Sequence, residues 1–281
     1  MKKKFFFILI MFLGFLSACG NTNEKTGTNS EDTSEKKEII IGFGVGSYEE
    51  QFRESILPIL EGEGYKVEIK TFSQNTQINS SMLLNEIDAS VFQSTAYMES
   101  INKQENGEMI KIAYVPSAPQ GLYSNKHDSV NNIKDGMKIA LPQSPTSLER
   151  AAQILSELGW ATIDEDAEII NFSINDLKPG KYNLEFIELD LAQILVSLDD
   201  VDFGIVNGNF ITDSGRKITD ALKIEDMPDE HRIIVSINKE DENEQWAQDL
   251  KAAYESSKFE DYIKSKEIYD GFVFPEAWET N

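Results

Sequence analysis

The chain has 281 residues, 49 of them Asp or Glu and 26 Lys or Arg, for a formal net charge of −23. So acidic a chain has no basic face with which to neutralise nucleic-acid phosphates. Its 40% apolar and 10% aromatic residues suffice for one large domain or two lobes. One cysteine and two histidines, His127 and His231, exclude an internal disulfide and leave too few ligands for a Cys/His metal cluster, so neither metal nor cofactor is expected.

Lys2, Lys3 and Lys4 precede an apolar run of 12 residues, Phe5 to Leu16. As a helix that run spans about 18 Å, short of the roughly 30 Å hydrocarbon core. It therefore reads as the apolar part of a signal peptide over residues 1–18. Leu16-Ser17-Ala18-Cys19 resembles a bacterial lipobox, in which cleavage leaves Cys19 acylated, by palmitate or a similar chain, at the new N-terminus. The alternative is an ordinary secretory signal with an incidental cysteine. Residues 19–37 are polar and carry no large apolar side chain, which predicts a flexible tether. The expected location is the extracytoplasmic face of a cell membrane, held by lipid.

From Glu38 onward the pattern alternates between strands and helices. Glu38 to Phe43 is an apolar strand, and Ser47 is a plausible cap for a helix carrying Phe52, Ile56, Ile59 and Leu60 on one face, kinked at Pro58. Lys66 to Lys70 alternates as a second strand. A helix through Met82 to Leu84 leads to a third strand at Ile87 to Val91. This is the grammar of a parallel sheet.

The grammar then repeats. Lys138 to Leu141 predicts a strand, followed by a helix with Leu148, Ala152, Leu155 and Leu158 on one face. Thr146 and Glu149 have the spacing of a capping box, and Gly159 is a natural stop. Leu184 to Leu189 and Val201 to Val206 predict strands around a helix at Ala192 to Leu198. Arg232 to Ile237 is a last strand and Trp246 to Tyr254 a last helix. The economical arrangement is α/β, with lobe I formed by 38–116 plus 228–281 and lobe II by 117–227. Ligand would sit in the crevice outside the carboxyl ends of the strands. The crossings, near Tyr114 to Ser117 and at Met227-Pro228, are candidate hinges.

Several short stretches carry a family resemblance. They are Asn85-Glu86-Ile87-Asp88-Ala89 with Phe92-Gln93 and Tyr97, Gly121-Leu122-Tyr123-Ser124-Asn125-Lys126, Ile139-Ala140-Leu141-Pro142, Leu198-Asp199-Asp200-Val201-Asp202 and Val206-Asn207-Gly208-Asn209-Phe210. In order and spacing the chain resembles the NlpA/MetQ family of lipoproteins, methionine-binding components of ABC importers. The resemblance implies a two-lobe, periplasmic-binding-protein-like fold of type II with its ligand cleft between the lobes. It further implies a binding protein that is not an enzyme, an amino-acid or peptide ligand, and a permease with its ATPase as partners.

Arg150 is expected in the first turn of its helix, where the macrodipole disfavours a cation by about 0.3–1 kcal/mol. An anionic partner explains it better: a ligand carboxylate, as the matching family arginine implies, or a surface pair with Glu149 or Asp164. Asn207 and Asn209 flank Gly208 at a strand end, where they can bond an α-amino or α-carboxylate group, or serve a turn. Phe92 and Tyr97 match the family's aromatic pocket walls, although their spacing suits core packing equally.

The departures from the family pattern bear on the ligand. Where the family has a tyrosine, Gln-Pro and an asparagine, this chain has Asn75, Gln77-Ile78 and Asn79. Ser94 replaces a histidine, Thr146-Ser147 replaces Thr-Asn, and Arg232 stands where a ligand-binding asparagine is common. Asn75, Ser94 and Arg232 thus join the candidate ligand contacts and polarise the pocket. Unmatched polar groups there would reject an apolar ligand, at about 1–3 kcal/mol each. The ligand is methionine, a more polar or acidic amino acid, or a short peptide. A second anionic group fits if Arg150 and Arg232 both face the cleft, and the alternative for Arg232 is an ion pair with Asp229 or Glu230. No Gly-x-Ser-x-Gly or His-Glu-x-x-His motif supports an exported enzyme. The remaining alternative is a surface lipoprotein of the same fold that has lost transport and acts as an interaction protein.

Overall fold

The computed structural model describes residues 36–44, 46–168 and 171–278. The expected signal segment and the Cys19 lipidation site lie outside the described residues. In chain order the first half carries β1 (Glu38–Phe43), α1 (Ser47–Gln51), α2 (Leu57–Gly62), β2 (Lys66–Thr71), α3 (Asn75–Leu83), β3 (Ala89–Ser94), α4 (Thr95–Glu105), β4 (Met109–Tyr114) and β5 (Gly121–Tyr123). The middle carries β6 (Lys138–Pro142), α5 (Pro145–Glu157), β7 (Ala161–Ile163), β8 (Leu177–Pro179), β9 (Glu185–Leu189), α6 (Leu191–Ile194), β10 (Phe203–Val206), α7 (Gly208–Asp213) and β11 (Lys223–Ile224). The chain closes with β12 (Ile233–Asn238), α8 (Gln245–Tyr254) and α9 (Ser257–Lys264).

Two five-stranded sheets organise these elements. The first has the order β2-β1-β3-β12-β4 and the second β11-β5-β10-β6-β9. In the first, β1 runs parallel to β2 and β3, while β12 enters antiparallel between β3 and β4. In the second, β6 runs parallel to β10 and β9, and β5 is antiparallel to β10. The apolar run of β1 follows from its central place, because Ile39, Ile41 and Phe43 are each at most 1% exposed. In α5, Leu148, Ala151, Ala152, Ile154 and Leu155 are fully buried against the second sheet, each large side chain contributing about 1.5–3 kcal/mol. Gly159 follows α5 with φ +68°, the left-handed stop expected of it.

The chain crosses between sheets twice, after β4 and after β11, and the two crossings hydrogen-bond to each other. Val115 N donates to Ile233 O at 2.8 Å, and Glu225 N to Gln120 O at 2.9 Å. Ser117 adds a third tie, since Ile233 N donates to its Oγ at 2.8 Å.

Four local expectations need correcting. Ser47 is the first residue of α1 and not its cap; Gly46 stands at that position and the Ser47 hydroxyl has no hydrogen-bond partner among the described residues. Where a kink is expected from Pro58 alone, the regular helix is already interrupted by a π turn at Phe52–Ile56, and Pro58 falls in the first turn of α2, where a missing N–H is tolerated. The third strand begins at Ala89 and runs on through Ser94, so Phe92 lies on it. Finally, Thr146 caps nothing: α5 starts at Pro145, whose fixed φ suits a first helical position, with Ser144 before it. Arg150 is consequently in the second turn, beyond the reach of the macrodipole argument.

Candidate functional site

The carboxyl ends of the parallel strands converge on one cavity of about 600 Å3. Gly44 follows β1, Ser73 to Thr76 follow β2, and Phe92 to Tyr97 end β3. From the other sheet, Ser144 to Arg150 follow β6, Leu191 follows β9 and Asn207 to Phe210 follow β10. Ala118, Met227 and His231 of the crossing segments, Ile233 at the start of β12 and Tyr48 of α1 complete the lining. This is where an open α/β sheet presents a ligand site, since backbone amides and side chains at strand ends are not consumed by the ladder. Gly44 permits close approach: a Cβ there would stand 2.9 Å from Asn75 Oδ1 and 3.3 Å from Phe92 Cβ.

Seven of the eight residues expected at the site line this cavity: Asn75, Phe92, Ser94, Tyr97, Arg150, Asn207 and Asn209. Phe92 and Tyr97 meet edge to face, with ring centroids 6.3 Å apart and planes at 84°. Ser94 is also the cap of α4, accepting from Tyr97 N at 3.3 Å, which fixes the aromatic residue against the strand end. Burial raises the Tyr97 phenol above its ordinary value.

Arg232 is the exception. Its side chain turns out of the cavity, stacks 4.4 Å from the Tyr114 ring centroid, donates to Asp229 Oδ1 at 3.0 Å and bonds the Phe274 carbonyl. Asp229, three residues back, holds the guanidinium beside its own turn, and the aromatic face accepts the cation there. Of the two alternatives for Arg232, the ion pair with Asp229 is the one that forms; Arg150 and Arg232 do not both face the cavity, so the condition for a second anionic ligand group is not met.

Arg150 has a partner that its sequence neighbourhood does not suggest. Its Nε and Nη2 donate to Glu225 Oε1 and Oε2 at 2.7 and 2.6 Å, a bidentate fork. Neither Glu149 nor Asp164 is its partner. The Glu225 side chain is 3% exposed and that of Arg150 12%. Glu225 Oε2 also accepts from Gln120 N at 2.8 Å. The pair occupies one edge of the guanidinium and leaves Nη1 without a hydrogen-bond partner among the described residues.

Glu149 instead approaches His231 Nε2 at 3.1 Å and accepts from Gln153 Nε2 at 2.8 Å. Burial pushes its carboxyl up, but the His231 ring, the Gln153 amide and Arg150 together more than offset this and hold it below its usual range.

Sequence reasoning missed Tyr48, His231, Gln120 and Glu225. Tyr48 follows a predicted strand end and was in principle findable. Burial pushes its phenol up to about 12, against the Ala118 backbone and Arg150, so it remains a neutral donor in the cavity. Gln120 and Glu225 carried no local signal: Glu225 is 75 residues from Arg150, and Gln120 is 87 from Asn207.

Two α/β lobes, with strand ends facing a shared cavity that combines an oriented arginine, carboxamides and aromatic walls, define a solute-binding protein of the two-lobe periplasmic type. The model of the NlpA lipoprotein family matches residues 39–277, and the chain belongs to that family. It is similar to the methionine-binding lipoprotein MetQ of Bacillus subtilis (strain 168), at 28% identity over 281 residues, covering 98% of this chain and 99% of that one. Among solved structures it resembles a nutrient-binding protein from Burkholderia cenocepacia bound to methionine, with a TM-score of 0.75 and 26% identity over 84% of this chain and 98% of that one. It also resembles an ABC transporter periplasmic substrate-binding protein from Coxiella burnetii, with a TM-score of 0.74 and 26% identity over 84% and 99% of the two chains. These relatives are described as binding proteins and not as enzymes. No helix among the described residues is long and apolar enough to cross a membrane.

Proposed function

We propose that this protein is the solute-binding lipoprotein of an ABC importer, anchored at Cys19, that captures an amino acid and delivers it to a permease with its ATPase. The observation that carries this reading is Arg150 at the cavity wall, oriented by Glu225 and with Nη1 uncommitted, beside Asn207 and Ser147. That set suits one α-carboxylate. Because Glu225 offsets the charge of Arg150, the site suits a zwitterion with no net charge better than an acidic amino acid.

Asn75 and Asn209 make no side-chain hydrogen bond to other described residues, and their carbonyl oxygens can accept from an α-ammonium group. Phe92, Tyr97, Phe210, Leu191, Met227 and Ile233 give apolar room for a side chain such as that of methionine, while Asn75, Gln74 and Ser94 admit a more polar relative. The names of the relatives support methionine or a related amino acid. An intact, built cavity speaks against a chain that has abandoned solute binding. Contacts on both lobes imply that ligand favours the closed arrangement, with the paired crossings as hinge.

The test is a calorimetric panel of L- and D-amino acids and dipeptides on the detergent-solubilised full chain, repeated with Arg150→Ala. Loss of charge-assisted bonds worth about 1.5–3 kcal/mol predicts an affinity drop of about ten- to 150-fold. Unchanged affinity for every bound solute would refute the carboxylate assignment.

A further inference from the structure

Buried beneath the cavity, Gln120 is 0% exposed and spans three elements. Its Nε2 donates to the backbone carbonyl of Ser147 at 3.0 Å and to Asn207 Oδ1 at 2.8 Å. Its own N–H holds Glu225, the residue that orients Arg150. A backbone carbonyl can only accept, so the Gln120 amide has a single workable orientation. The reverse one would set two oxygens 3.0 Å apart, which explains why Oε1 is left buried without a partner instead.

That constraint propagates. Because Gln120 donates to it, the carbonyl side of Asn207 must face Gln120, and its Nδ2 must face Ser147 Oγ, 3.2 Å away. Ser147 Oγ accepts this bond, so its own O–H is free to donate elsewhere. Both residues line the cavity with Arg150. The relay starts on a main-chain oxygen and ends with two groups on one wall that can only donate, Asn207 N–H and Arg150 Nη1, beside a Ser147 hydroxyl whose O–H is free to join them.

Building on the amino-acid reading above, we propose that Gln120 is a positioning residue that fixes the Asn207 carboxamide as a donor, so that the site demands a free carboxylate. A ligand carrying a primary carboxamide there presents N–H to N–H and is rejected by about ten- to hundredfold. Amino-acid amides, and peptides joined through that carboxyl, are therefore excluded. The ligand class is one with a free α-carboxylate, an amino acid or a short peptide held by its C-terminal carboxyl.

The experiment measures affinities of the detergent-solubilised full chain for L-methionine and L-glutamine, each against its α-carboxamide, in the wild type, Gln120→Met and Gln120→Glu. The wild type should favour the acid at least tenfold. In Gln120→Met, which adds no charge, Asn207 is released and the preference should fall to threefold or less. In Gln120→Glu the introduced carboxylate draws the Asn207 N–H group inward, so the preference should vanish or reverse. Gln120→Met remains decisive if Gln120→Glu does not fold. If both ligands weaken equally and the ratio persists, Gln120 is merely structural and the proposal is overturned. If the wild type binds the acids with no preference over their amides, the donor wall itself is wrong. If it binds neither acid, the amino-acid reading falls and takes this proposal with it.

Discussion

Replacing Glu225 by alanine tests the organisation of the site most directly. The substitution removes three accepted hydrogen bonds, from Arg150 Nε at 2.7 Å, Arg150 Nη2 at 2.6 Å and Gln120 N at 2.8 Å. Breaking a buried pair from one side costs about 3–5 kcal/mol, because the remaining charge is stranded. Arg150 opens on the cavity and its side chain is 12% exposed, so water recovers part of that loss and the low end, about 3 kcal/mol, applies. For a chain of this size each kcal/mol moves Tm by about 2–4 °C, which predicts a fall of about 6–12 °C. The stranded guanidinium should then seek an anion from solution. Tens of millimolar acetate should raise the Tm of Glu225→Ala by several degrees, with sodium chloride at equal ionic strength as control, and should leave the wild type nearly unmoved. Thermal melts followed by far-UV circular dichroism measure both effects. A variant melting within 2 °C of the wild type and indifferent to acetate would refute the argument that Glu225 holds Arg150.

Two further outcomes follow from the geometry. The depressed carboxyl of Glu149 stabilises the fold above its unfolded value of about 4.5, and that stabilisation is lost as pH falls through the still lower folded value. The Tm difference between wild type and Glu149→Gln should therefore be largest near neutrality and shrink below pH 4.5; a constant offset from pH 7 to pH 3 would contradict this. Arg232 faces Tyr114 and Phe274 and not the cavity, so Arg232→Asn should lower Tm by several degrees yet change amino-acid affinity by less than threefold in calorimetry.

The sequence by itself determined the two α/β halves, because buried parallel strands must be apolar on both faces and their connecting helices amphipathic. Ile39, Ile41 and Phe43 in β1 announced their burial by an unbroken apolar run, and Leu148, Ala152 and Leu155 in α5 by their helical period. The short motifs around Phe92, Tyr97, Arg150, Asn207 and Asn209 marked strand ends, where a parallel sheet leaves groups free for a ligand. Helix starts were less legible: Ser47 and Thr146 had the right chemistry for caps, but backbone geometry gave those positions to Gly46 and Ser144. What only the tertiary structure decided was partnership. Arg150 meets Glu225, Asn207 meets Gln120 and Arg232 turns toward Tyr114 because the chain crosses twice between sheets and lays the crossings side by side. Residues 75 or 87 positions apart leave no periodic or local trace of such contacts, and the direction in which a buried amide donates depends on a carbonyl oxygen that no sequence pattern names.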